Sequence, residues 1–272
     1  MAEAGQRVLL LLPINQMAPG QQSPYSATSA LAIDPIYISV GLVPDFIALG
    51  GVDALTASQH ETLAAVRRSP TIQYRQVREL KDHALRAAFA RFVEAEWAPR
   101  TERGRALAQY IAHEGWWLDD YALFRALHAS FGERSWFEWP DPLKRRDPAA
   151  LSEARAMHGH EILYLQYLQW LAQSQWATAR REAAPVALYG DLPFMVDGDS
   201  ADVWARQTQF RLDASVGVPP DAFSATGQDW GMPPYRWDVQ EKNGYAWLRE
   251  RARRAAVLFD GFRVDHLVGF YR

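Results

Sequence analysis

The 272-residue chain is 49% hydrophobic and 22% charged, with a formal net charge of −3. That is the profile of an ordinary globular protein with one large α/β domain or two small ones, and it lacks the basic field that nucleic acid or an acidic membrane surface would need. Without cysteine it has no disulfide, iron–sulfur cluster or thiol nucleophile, which fits a reducing compartment.

In chain order, the first short apolar run is Val8 to Leu12. It is shorter than the hydrophobic segment of a secretory signal, and Glu3 interrupts the basic stretch that would precede one. No run approaches the ~18 apolar residues of a bilayer span. The run reads as a strand near residues 7–13. From Ser58 to Phe131 the pattern is mostly helical, with breaks expected at Pro70 and Gly104. Asp147-Pro148 pairs an N-cap with a proline at the first helical position, and one long helix is expected from there to about Arg181. The block 40–180 is too large for a simple crossover and reads as an inserted helical subdomain. Val186 to Tyr189 is the second strand, near 185–191, and it closes on Gly190-Asp191. Residues 197–234 are loop-rich, yet Trp204, Phe210, Phe223 and Trp230 argue for an ordered, functional loop region. Asn243 can cap a helix running to about Leu258, and a third strand follows near 259–265. The first two runs are continuous, as suits parallel strands buried on both faces. The helix between the second and third strands makes a βα unit, and the fold class is α/β.

The strongest chemical signal is Phe262-Arg263-Val264-Asp265-His266. Residues two apart on a strand share a face, so Arg263 and Asp265 sit side by side. A neighbouring guanidinium favours the ionised carboxylate. Spacing alone leaves two readings open, a structural ion pair and a glycosidic nucleophile at a strand's C-terminal rim. Gly190-Asp191 is by itself either a turn or a second rim carboxylate. His158, His160 and Glu161 do not share a helix face and make a poor metal site. No phosphate-binding glycine loop or serine-nucleophile motif is present. The eleven tryptophans serve either core packing or stacking against sugar rings.

Taken together, several segments resemble the amylomaltase family, also called disproportionating enzyme or 4-α-glucanotransferase, glycoside hydrolase family 77. They are Ser23-Pro24-Tyr25-Ser26, Trp116-Trp117-Leu118-Asp119-Asp120-Tyr121, Gly190-Asp191-Leu192-Pro193-Phe194, Asp199-Ser200-Ala201-Asp202-Val203-Trp204, Gly217-Val218-Pro219-Pro220-Asp221-Ala222-Phe223-Ser224, Gly227-Gln228-Asp229-Trp230-Gly231 and Arg263-Val264-Asp265-His266. The resemblance runs over nearly the whole chain and implies a partial (β/α)8 TIM barrel with large helical insertions. It implies a retaining transfer of α-1,4-glucan segments between maltooligosaccharides, with Asp265 as nucleophile and a second carboxyl ~5–5.5 Å away as acid/base. Arg263, His266 and Asp191 would bind the sugar at the cleavage point. Tyr25 belongs to an aromatic substrate loop, and Asp221, Phe223 and Trp230 to a lid that hinders water. Neither cofactor nor metal is implied, and the setting is cytoplasmic.

The sequence departs from that pattern in what it contains. Residues Ala2 to Gly5 look like the close of the first barrel helix, and three strands are visible of the eight a barrel needs. The acid/base glutamate of the next strand and a later His-Asp pair are not in the sequence. The isolated chain is therefore expected to be inactive, marginally folded and prone to aggregate through its exposed edges. Ala222 stands where some members have tyrosine in the lid, and Asp34-Pro35 where many have Asn-Pro. Two alternatives remain: an α-glucan hydrolase of a related barrel family, and a non-catalytic glucan-binding remnant.

Overall fold

The computed structural model describes residues 1–18, 20–21, 23–220, 222 and 224–270. Its strands are β1 (Val8–Leu10), β2 (Ala187–Leu192), β3 (Val216–Val218), β4 (Gln228–Met232) and β5 (Gly261–Val264). Among the described residues, β1, β2 and β5 form one parallel sheet in the order β1-β2-β5, and β3 and β4 form a separate antiparallel hairpin. Between β1 and β2 come helices α1 (Pro44–Ala48), α2 (Ala57–Arg68), α3 (Tyr74–Phe92), α4 (Glu102–Ser130), α5 (Asp141–Lys144), α6 (Pro148–Met157) and α7 (Gly159–Glu182). Helices α8 (Ala201–Ala205), α9 (Trp237–Lys242) and α10 (Ala246–Leu258) lie between β2 and β5. This is a partial parallel α/β sheet carrying a large helical block.

Helix α3 buries Ala84, Leu85, Ala88, Phe89 and Phe92, an apolar stripe at helical spacing. The stripe packs with Tyr164, Tyr167, Leu168 and Leu171 of α7 in one core. Inside that core the carboxylate of Asp45 is fully buried. It accepts hydrogen bonds from Arg103 at 2.9 and 2.7 Å, Arg91 at 2.9 Å and Tyr167 at 2.9 Å. One side chain thus joins α1, α3, α4 and α7. A second core gathers Trp117, Tyr121 and Phe124 of α4 with Trp136, Trp139, Trp204 and the 194–196 segment. Most of the tryptophan excess is spent there on packing.

The sheet is held to its helices by polar ties. Asp260 accepts from the backbone of Leu188 at 2.8 Å and pairs with Arg180 at 2.6 Å. Trp176 of α7 donates to the Leu258 carbonyl at 2.6 Å. These contacts set β5 beside β2 and thereby fix the site described below.

Several expectations are corrected. Val8 and Leu10 are 46% and 52% exposed, so β1 is not buried on both faces. A continuous apolar run records what a strand could bury, whereas exposure depends on which layers cover it. The helix begun at Pro148 ends at Met157, and α7 begins afresh at Gly159. His158 takes φ −103°, and glycine is a weak helix former, by about 1 kcal/mol relative to alanine. Gly104 does not break a helix; it lies within α4, where a Cβ would strike the Glu96 carbonyl. The break falls at residues 98–101, with Thr101 as the cap. Pro70 does separate α2 from α3. Residues 197–234 contain α8 and the β3–β4 hairpin as well as loops. Tyr245, at φ 57°, is the residue before α10, while Asn243 Oδ1 accepts from the Ala246 amide at 3.2 Å.

Candidate active site

Strands β2 and β5 end side by side, and their parallel register sets Asp191 against Arg263. Asp265 is the first residue past β5, and its amide donates to the Leu192 carbonyl at 3.0 Å, which extends the ladder by one residue and keeps it beside Arg263. The Asp191 side chain is 2% exposed. Its Oδ2 accepts from Arg263 Nη1 at 2.8 Å and from the Tyr25 hydroxyl at 2.7 Å. Arg263 Nη2 donates to Asp265 Oδ1. One guanidinium therefore bridges a buried carboxylate and a half-buried one.

Tyr25 reaches this point because the segment after β1 doubles back. Bridges Asn15↔Ile33 and Met17↔Ala27 fold it into an antiparallel loop, which presents residues 23–26 beside the strand ends. Burial, then the bond to Asp191, raises the Tyr25 phenol, so it remains a donor. Attraction to Asp191, and next to Asp265, raises the Arg263 guanidinium, which stays a cation at every working pH. Among the described residues Asp191 Oδ1 is buried without a hydrogen-bond partner, and Asp265 Oδ2 accepts no hydrogen bond.

Of these groups Tyr25 and Asp265 line a cleft of about 400 Å³, together with Phe194, Met195 and Trp230. Trp230 projects from β4 and anchors its indole N–H on Gln228 at 3.0 Å. His266 takes φ 44° and turns the chain out of β5. Its ring packs 4.8 Å from Phe194 and 5.7 Å from Trp230, centroid to centroid. An ionised carboxylate beside aromatic walls can attack an electrophilic carbon while the walls hold an apolar ring face.

The family model described as Glyco_hydro_77, 4-alpha-glucanotransferase, matches residues 1–272. The chain belongs to this family. It is 37% identical to a 4-alpha-glucanotransferase of Thermus thermophilus, over 99% of this chain and 53% of that protein. It is 36% identical to the chloroplastic/amyloplastic 4-alpha-glucanotransferase of Solanum tuberosum, over 97% of this chain and 45% of that protein. The amylomaltase of Streptococcus agalactiae, solved in complex with acarbose, superposes with a TM-score of 0.83 at 29% identity, covering 97% of this chain and 53% of that one. The chain spans about half the length of these curated relatives.

In this family member the structure brings together Tyr25, Asp191, Arg263 and Asp265 and puts Trp230 in the cleft wall. His266 joins the aromatic wall and makes no hydrogen bond to either carboxylate. Asp221 and Phe223 lie outside the described residues. Phe194, Met195 and Asp229 also line the cleft; Asp229 lies in the segment read from the sequence as lid, whereas Phe194 and Met195 were assigned no role there. Phe194 and Met195 follow β2 after Pro193, and residues just past the C-terminal ends of barrel strands form the rim; that rule was the available signal. His160, weighed above as a metal ligand, instead packs edge-on against Phe89 at 5.2 Å. Among the described residues no helix is long and apolar enough to cross a membrane.

Proposed function

We propose that this chain carries the nucleophile side of a 4-α-glucanotransferase site, acting on α-1,4-glucans and maltooligosaccharides by retaining double displacement. Asp265 is the nucleophile. The observation that carries this reading is the fixing of Oδ1 by Arg263 while Oδ2 accepts no hydrogen bond among the described residues and the side chain lines the cleft. In the first step Asp265 Oδ2 bonds to the anomeric carbon, and the glycosidic oxygen leaves with the electron pair and a proton from a carboxylic acid. In the second step the 4-hydroxyl of an acceptor glucan displaces Asp265 and gives its proton to the same carboxylate. Arg263 orients Asp265 through its hydrogen bond, Asp191 and His266 bind sugar hydroxyls, and Tyr25 and Trp230 flank the ring. Asp221 and Phe223 belong to the lid that hinders water. The helical block 40–180 is a subdomain inserted after the first of the three strands, and residues 197–234 form the active-site loop region. No residue of this chain is assigned as the second carboxyl group, and the chain spans about half the length of its curated relatives. The cysteine-free sequence suits a cytoplasmic enzyme.

The test separates the nucleophile from the acid. With α-maltotriosyl fluoride the leaving group departs without protonation, so Asp265 alone can form the glycosyl-enzyme. The expected result is a maltotriosyl adduct on the peptide containing Asp265, absent from Asp265→Asn. An adduct that survives in Asp265→Asn, or no adduct on folded protein at saturating donor, refutes the assignment.

A further inference from the structure

Near the end of α4 a histidine is buried between two carboxylates. His128 closes α4 and is 3% exposed. Its Nδ1 is 2.6 Å from Glu133 Oε2 and its Nε2 is 3.3 Å from Asp199 Oδ2. A neutral imidazole has one N–H and can satisfy only one of these acceptors; both contacts are hydrogen bonds only in the imidazolium. The C-terminal end of a helix favours that cation. Glu133 is held in place by a left-handed backbone, φ 61°, which is uncommon for a side chain of this kind. The other groups facing the ring are Arg125 of α4, with Nη1 3.3 Å from Nδ1 and 3.0 Å from Glu133 Oε2, and the rings of Phe124 and Trp139. Behind Asp199 lies Asp197, whose Oδ1 accepts from the Asp199 amide at 2.8 Å.

From Asp199 a short chain of bonds leads to the cleft. Asp199 Oδ1 accepts from the Trp136 amide at 3.1 Å, and the Trp136 indole donates to the Gly198 carbonyl at 2.9 Å. The Gly198 amide donates to the Gly231 carbonyl at 3.1 Å. A Cβ at Gly198 would lie 2.9 Å from that oxygen, so this approach has no slack. Gly231 follows Trp230 in β4.

We propose that His128, as an imidazolium bound to both Glu133 and Asp199, is a positioning residue that ties the 197–199 segment to the helical block and thereby sets Trp230 over the cleft. This deepens the transferase reading by naming a pH-dependent control on the lid, and it rests on that reading for its consequence in catalysis. Burial opposes the charge on His128, but its bonds to Asp199 and Glu133 outweigh burial and raise the imidazole above its ordinary value. Burial likewise pushes Glu133 up, yet His128 and Arg125 bring it down to about 2, and Asp199 is also held low against burial by His128 and the Trp136 amide. The sign follows. The clamp is complete below the free imidazole value of ~6.5 and is lost as pH rises through the higher folded value. On the acid side it persists until the carboxylates protonate. Loss of the proton leaves one N–H for two acceptors, so one of the two contacts is given up.

Protein labelled with 5-fluorotryptophan reports this directly by 19F NMR, with Trp230→Phe assigning the Trp230 resonance. The expected result is a Trp230 shift with the midpoint of the His128 ring proton, lost in His128→Gln and in Asp199→Asn. His266 lies beside Trp230, so His266→Gln is the control. A Trp230 titration that disappears in His266→Gln and persists in His128→Gln overturns the proposal, as does a flat Trp230 signal while His128 titrates. Should His128→Gln fail to fold, the two midpoints in the unmodified protein decide alone. The readout needs no turnover, so its failure is distinct from a failure of Asp265 to be labelled.

Discussion

Asp45 offers the sharpest stability test of the helical block. Asp45→Asn keeps the volume and removes the charge from a fully buried carboxylate that accepts from Arg91, Arg103 and Tyr167. Removing one partner of a buried ion pair costs about 3–5 kcal/mol. Arg91 and Arg103 are 32% and 30% exposed and can rehydrate, and asparagine keeps one acceptor oxygen, so we expect a cost at or just below the bottom of that range, about 2–3 kcal/mol. For a chain of this size that corresponds to a melting-temperature drop of roughly 5–10 °C. Burial pushes the Asp45 carboxyl up, but Arg103 and Tyr167 hydrogen bonds, with the two arginine charges, hold it below its ordinary value. A depressed carboxyl stabilises the fold above its unfolded value and loses that contribution as pH falls through the folded one. The two proteins should therefore differ most near neutral pH and converge in acid. Calorimetry across pH checks both statements. A melting temperature within about 1 °C of the parent at neutral pH, or a gap that widens in acid, would refute the reasoning.

Two further outcomes follow from the site and the sheet. Tyr25→Phe removes a donor to a buried carboxylate, worth about 1.5–3 kcal/mol for a charged acceptor. Arg263 still serves the same oxygen, so the expected effect is a several-fold weaker maltoheptaose affinity in a fluorescence titration, with an unchanged fold by circular dichroism. Leu10→Lys places a charge on the exposed face of β1; exposed apolar patches drive association, so light scattering should fall in concentrated solution while the melting temperature holds. Unchanged scattering would mean that this face is not what brings molecules together.

Much of this protein was legible locally. Asp147-Pro148 marks a helix start because an N-cap oxygen and a fixed φ act over three residues, and Arg263 and Asp265 sit side by side because strand alternation runs one residue past the end of β5. The ordered series of motifs pointed to the family that the whole-chain match shows. What alternation could not supply was the partner. Tyr25 meets Asp191 across 166 residues, and Arg263 meets it across 72. Those distances collapse only when β2 and β5 adopt their parallel register and the segment after β1 doubles back. Likewise nothing near His128 in sequence announces Asp199, 71 residues on. Whether Val8 and Leu10 are covered was equally beyond the sequence. Hydrophobic pattern records which side chains gain by leaving water, while the packing of layers decides which of them do. Residue chemistry and strand period thus came from the sequence itself; register, loop return and layer order, which turn separate carboxylates and a guanidinium into one site, belong to the tertiary structure alone.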